Sequence, residues 1–77
     1  MEYQIGQIVL FPYDFVPKGF LKCDGQTLQI MEYMALFSLV RDQYGGDGET
    51  TFTLPNIEAP KGLMYCINYD GIYPSRN

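Results

Sequence analysis

Cys23-Asp24-Gly25-Gln26, then Tyr44-Gly45-Gly46-Asp47-Gly48, then Phe52-Thr53-Leu54-Pro55-Asn56 are the stretches that divide this chain into elements. Asp24-Gly25 is a turn signal, because an Asp-Gly pair suits a two-residue type I′ turn with φ > 0 at both central positions. The turn predicts a hairpin with arms over 20–23 and 26–30. Cys23 then faces Gln26, Lys22 faces Thr27, and Leu21 faces Leu28. Leu21, Cys23 and Leu28 share one face, Lys22 and Thr27 the other. A nameable buried face gives the register a driving force. Between this hairpin and the glycine-rich stretch, Ala35, Leu36, Leu39 and Val40, followed by Gln43 or Tyr44, recur at helical spacing. The spacing predicts a helix over 31–43 with Glu32, Arg41 and Asp42 outward. Glu32 lies in the first turn, where the helix dipole favours an acid. No Ser, Thr, Asp or Asn stands at Ile30 or Met31, so the usual N-cap is missing. Gly45 and Gly46 are expected to end the helix by supplying left-handed backbone.

Working outward, residues 4–11 read as a strand. Ile5, Ile8, Val9, Leu10 and Phe11 are apolar or β-favouring, and Pro12 ends the run. Apolar residues at both parities suggest a strand covered on both faces, hence a central one. Residues 12–19 are a loop punctuated by Pro17 and Gly19. Residues 51–54 form a short strand stopped by Pro55. Residues 63–69 alternate: Leu63, Tyr65, Ile67 and Tyr69 on one face, Met64, Cys66 and Asn68 on the other. Asp70-Gly71 turns into Ile72-Tyr73-Pro74 and a polar tail. No repeat or linker interrupts the chain. The expected fold class is α+β, one domain over 1–77, with a small, mainly antiparallel β-sheet packed against one α-helix.

Composition excludes several classes of function. The chain has 77 residues and a net charge of −4. Its five cations, Lys18, Lys22, Arg41, Lys61 and Arg76, do not cluster, which argues against neutralising a nucleic-acid backbone. No stretch approaches the ~20 apolar residues that cross a bilayer. The N-terminus is not basic and no long apolar run follows it, so a cleavable signal is not expected. His is absent, so zinc sites and His-activated nucleophiles cannot be built in the usual ways. Nothing singles out a carboxylate pair for acid-base work, and no cofactor or enzymatic activity is expected. Cys23 and Cys66 are either a disulfide in an exported chain or two buried free thiols. Only 18% of residues are charged, below a typical ~25%, while seven Tyr and five Phe supply aromatic surface. A small chain of this kind favours self-association.

Two sets of residues are candidate sites. Gly45, Gly46, Asp47, Gly48 and Glu49 could cradle a phosphate or hold calcium. The stretch lacks the Lys of a P-loop and the ligand count of an EF-hand. It also follows the helix, at the dipole end that repels anions. A surface loop that ends the helix accounts for it as well. Tyr13, Phe15, Tyr33 and Tyr73 fall in loops or at outward helix positions and form a candidate interaction surface, since such side chains anchor interfaces. Packing within the core is the competing account of the same four.

The ordered stretches resemble the phage tail-collar domain. Ile5-Gly6-Gln7-Ile8 matches its leading strand, and Pro17-Lys18-Gly19-Phe20 runs into Cys23-Asp24-Gly25-Gln26 as in the family. Ala35-Leu36-Phe37-Ser38-Leu39 is similar to its helix, Tyr44-Gly45-Gly46-Asp47-Gly48 to its glycine loop, and residues 51–56 to its Thr-Phe-x-Leu-Pro-Asp/Asn segment. Residues 71–77 resemble the ending of longer relatives called microcystin-dependent proteins. The chain departs from the pattern with Phe20 in place of Trp and Met31 in place of a capping Ser. Beyond Asn56, Ile57-Glu58-Ala59-Pro60 leads almost at once to the last strand, where the family runs into a long distal region suited to receptor contacts. The resemblance implies a tail-collar-like fold and a non-enzymatic structural or assembly role in a tail fibre. It implies a homo-oligomer, as a trimer, with other tail or particle proteins as partners. Synthesis in the bacterial cytoplasm and incorporation into a virion or phage-derived particle are expected. The alternative is a free-standing bacterial module that binds a glycan, peptide or small ligand.

Overall fold

The alternation at 63–69 organises the fold. In the computed structural model, which describes residues 2–75, the last strand, β5 (Met64–Asn68), lies in the middle of a three-stranded antiparallel sheet. The expected ending at Arg76 and Asn77 lies outside the described residues. On one side β5 pairs with β1 (Ile8–Phe11), Ile8 opposite Ile67 and Phe11 opposite Met64. On the other it pairs with β2 (Phe20–Lys22), Leu21 opposite Ile67 and Lys22 opposite Cys66. Successive side chains of β5 point to opposite faces, and each face buries a separate cluster. Ile67 joins Cys23, Leu28, Leu36, Phe52 and Leu54, with Tyr65 and Tyr69 at the margin. Met64 and Cys66 join Phe11 and Phe20.

The expected hairpin does not form. β2 leaves for β5, while β3 (Thr27–Gln29) pairs with β4 (Thr51–Thr53) in a second, two-stranded sheet, Leu28 opposite Phe52. Gly25 has φ +82°, but Asp24 does not share a positive φ, so the turn is not type I′. Asp24 instead accepts the Gln26 N–H on Oδ1 at 3.1 Å, and its backbone bridges to Asn56. The local Asx bond supplies the reversal, and the two arms diverge into different sheets. The predicted common face survives: Leu21, Cys23 and Leu28 all reach the larger cluster, while Lys22 and Thr27 stay exposed.

The helix is shorter than its spacing suggests. A 3₁₀ turn (Ile30–Glu32) precedes α1 (Met34–Val40), and Tyr33 between them has φ −136° and ψ 49°. Neither start carries a side-chain cap, as the missing Ser or Thr predicts. Leu36 and Val40 are buried, whereas Ala35 points to solvent. The stop also differs. Arg41 takes φ +57° and donates its N–H to Phe37 O at 2.7 Å, before the chain reaches Gly45. Gly45 and Gly46 do have positive φ, yet they serve the next loop rather than the helix end.

β1 is an edge strand, not a central one. Its entry is set by a bulge. Gly6 N–H donates to Asn68 O at 2.8 Å and Asn68 N–H donates to Gln7 O at 3.0 Å, so two residues face one. Gln7 N–H closes a turn onto Gln4 O at 3.0 Å. Gly6 supplies the φ of +88° that this bulge requires.

Candidate interaction surface

The chain leaves β1 after Phe11, at Pro12. The rings of Phe11, Tyr13 and Phe15 nonetheless follow one another, each against the next. Tyr13 stacks on Phe11 with ring centroids 5.3 Å apart, and Phe15 stacks on Tyr13 at 5.0 Å with planes 6° apart. Phe11 meets Phe20 edge-on at 5.0 Å, and Phe20 meets Tyr3 edge-on at 4.9 Å. The run begins in the core, where Phe20 is 5% exposed, and ends at Phe15, which is 59% exposed. Phe15 and Tyr13 are therefore held by the fold while presenting apolar surface to solvent, together with Val16.

The other two aromatic candidates contact different elements. Tyr33 is half-buried and meets Tyr69 edge-on at 5.2 Å. Tyr73 is exposed, and its hydroxyl hydrogen-bonds Ser38 Oγ on α1 at 2.7 Å. The structure thus brings Tyr13 and Phe15 together and leaves Tyr33 and Tyr73 outside their stack. Sequence reading missed that Phe11 anchors the stack. The spacing Phe11, Tyr13, Phe15 was the available signal. It also missed Met31 and Met34, which are 88% and 66% exposed at the start of the helical segment.

The loop at 45–49 is built around one carboxylate. Asp47 accepts the N–H groups of Glu49, Thr50 and Thr51 at 2.9, 2.7 and 2.8 Å, and the Thr50 hydroxyl at 2.7 Å. These donors, with the Thr51 amide foremost, hold the Asp47 carboxyl well below the usual carboxylate range. The amides that could cradle an external anion are occupied by the loop's own side chain. Gly45 O accepts the Thr53 N–H at 3.1 Å, which fastens the loop along β4. Among the described residues no group of three or more His, Cys, Asp or Glu side chains is placed to share a metal ion.

Cys23 and Cys66 are free and buried on opposite faces of the sheet, one in each cluster. Burial pushes the Cys23 thiol up to about 11, and burial raises Cys66 as well. Thiols of this kind are inert as nucleophiles. An open cavity of about 650 Å³ lies beside the aromatic stack, and Tyr3, Tyr13, Lys18 and Asp70 are among the residues that line it.

These features define a small α+β structural module that presents a fixed aromatic surface. The profile of the Phage Tail Collar Domain matches residues 6–60, more than two thirds of the chain. The chain belongs to that family, a family of structural phage-tail domains. No curated protein and no solved structure matches it. Among the described residues no helix is long and apolar enough to cross a membrane.

Proposed function

We propose that this chain is a structural component of a phage tail or phage-derived particle that acts by self-association or by docking onto a fibre. The observation that carries the reading is the stack from Phe20 through Phe11 and Tyr13 to Phe15. Rings already fixed on the core lose little rotamer freedom when a partner covers them, so more of their burial appears as affinity. Rigid aromatic anchors of this kind dominate interface energetics. The loop at 45–49, stiffened by Asp47, is a second face for contact, and Tyr73 a smaller one beside α1. Tyr33, turned onto Tyr69, is left out of the surface. Three copies is the number the family resemblance implies for a fibre.

Solution mass by light scattering on a sizing column tests this reading. The wild-type chain is expected at a multiple of 8.8 kDa. The double variant Tyr13→Ser, Phe15→Ser is expected to shift toward the monomer without loss of helical circular dichroism. A wild-type chain that stays monomeric at every concentration overturns self-association. An oligomer indifferent to the double variant overturns the aromatic contact.

One observation favours the second reading, a module that binds a glycan, peptide or small ligand. The tyrosine-walled cavity falls in the size range of ~300–1,000 Å³ typical of ligand pockets. Titration with neutral oligosaccharides, read on the ring resonances of Tyr3 and Tyr13, tests it. Rings that do not shift at millimolar sugar count against a glycan.

A further inference from the structure

The two edges of the three-stranded sheet are treated differently. The β2 edge is blunted. Phe20 N–H is taken by Pro17 O at 3.1 Å, and Lys22 O accepts both Asp24 N–H at 3.0 Å and Gln26 Nε2 at 2.9 Å. The Lys22 charge adds a further guard. These are the devices by which proteins prevent edge-to-edge pairing.

Between Ile8 and Phe11 the β1 edge has none of them; its bulge at Gly6 and its proline at Pro12 lie at the two ends of the strand. Gln7 O is turned toward β5, so the alternation of an antiparallel ladder turns the N–H and C=O of Ile8 and Leu10 to the open side. Among the described residues these groups have no backbone partner on that side. The Ile8 and Leu10 side chains are each 40% exposed. No residue from Tyr3 to Tyr13 carries a charge, in a chain whose net charge is −4.

We infer that the open edge of β1 pairs antiparallel with β1 of a second copy, about a two-fold axis at Val9. The deduction rests on the self-association reading and adds the surface and its symmetry. In this register Ile8 of one copy stands opposite Leu10 of the other. Each of the two residues donates its N–H to, and accepts from, its opposite number. The exposed side chains of Ile8 and Leu10 then cover one another across the axis. Two copies of an acidic chain meet along their uncharged stretch, so no like charges are brought together. An isologous contact needs the same patch on both partners, and an antiparallel strand edge is self-complementary in that sense. The joined sheet runs β2-β5-β1-β1-β5-β2, with a blunted edge at each end. Three residues of ladder on each strand bury far less than the ~800 Å² per partner of a standard interface, so the pairing is concentration-dependent.

Sedimentation of the chain from micromolar to millimolar concentration, with Leu10→Pro and Leu10→Lys, tests the pairing. Proline at Leu10 removes only an N–H that faces away from β5, and edge strands tolerate it. Lysine at Leu10 keeps the N–H and places like charges across the axis, and it serves if the proline variant does not fold. The expected result is a concentration-dependent doubling of mass in the wild type that is lost in either folded variant. Exchange of the Ile8 and Leu10 amides is expected to slow over the same range. An oligomer that persists unchanged in a folded variant overturns the edge pairing and leaves self-association through another surface standing. A wild type that is monomeric throughout overturns both.

Discussion

Gly46 and Gly62 make a matched pair of substitutions to alanine. Their φ angles are +89° and +85°, so both substitutions carry the same left-handed penalty. Their surroundings differ. A Cβ at Gly46 would lie 2.5 Å from Phe52 Cα, 2.7 Å from Thr51 O and 2.9 Å from Phe52 N, whereas a Cβ at Gly62 meets nothing within 4 Å. The left-handed region costs an L-residue about 1–2 kcal/mol. The lower unfolded-state entropy of alanine offsets about 0.5 kcal/mol in each variant and cancels from their difference. Gly62→Ala should therefore lose about 1 kcal/mol, or roughly 4–8 °C in Tm for a domain of this size. At Gly46 the obstacle is backbone, which cannot rotate away. Either β4 retreats or the loop opens and gives up the bond from Thr53 N–H to Gly45 O. Both routes disturb Phe52, which is fully buried. Losing a buried Phe altogether costs about 3–5 kcal/mol, so a partial displacement adds about 2 kcal/mol to the shared penalty. Gly46→Ala should lose about 3 kcal/mol, a large part of the roughly 4–12 kcal/mol expected for 77 residues. Urea denaturation followed by far-ultraviolet circular dichroism measures both. Equal losses in the two variants would refute the steric argument. No loss in Gly62→Ala would refute the backbone one.

Asp47 should protonate well below the usual carboxylate range on acid titration. Its folded value is depressed, so its contribution to stability is present above the unfolded value near ~4 and is lost as pH falls through the folded one. A carboxyl carbon resonance for Asp47 that titrates at the usual pH would refute the loop geometry, and Asp47→Ala should speed amide exchange at Glu49, Thr50 and Thr51. Cys23 has the opposite sign. Its raised value favours the folded state below an ordinary value near 9, and that stability is lost as pH rises toward about 11. The wild type should thus lose more stability than Cys23→Ala across that window in urea melts, and an identical slope would count against burial as the cause. Both thiols should resist iodoacetamide until the chain unfolds. A Cys23–Cys66 bridge forming in the native fold would contradict their placement on opposite faces. Leu36→Ala, at a fully buried site on α1, should cost about 2–5 kcal/mol by thermal melting.

What the sequence made legible was local. The β5 alternation is correct on both faces, because each face meets its own cluster and each side chain reports its side. The missing helix cap is real, and the 3₁₀ turn and the break at Tyr33 stand where it is missing. The strand partners were not legible. Asp24-Gly25 reverses the chain, but a turn signal fixes direction and not pairing. Which strand lies beside β2 is decided by Ile67 and Cys66, more than forty positions away in the sequence. The early end of α1 was also hidden, since nothing in an Arg announces φ +57°. At the candidate site, Tyr13 and Phe15 lay in plain view. Their stacking was not, because it depends on Phe11 being pinned by Phe20 across the sheet.

The misreading of β1 has a physical content of its own. Apolar residues at both parities normally mean a strand covered on both faces, and that rule placed β1 at the centre of the sheet. The structure puts it at an edge with Ile8 and Leu10 partly bare. Edge strands exposed to water ordinarily carry a charge, a proline or a bulge within the paired run. β1 is bounded by such features, with a bulge at Gly6 and a proline at Pro12, but has none between Ile8 and Phe11. Its composition is that of an interior strand, and β2 shows that this same sheet guards its other edge. The rule and the structure agree once β1 is interior to an assembly rather than to the monomer. The over-apolar strand and the unpaired edge are then one observation made at two levels, and the Leu10 variants decide whether it holds.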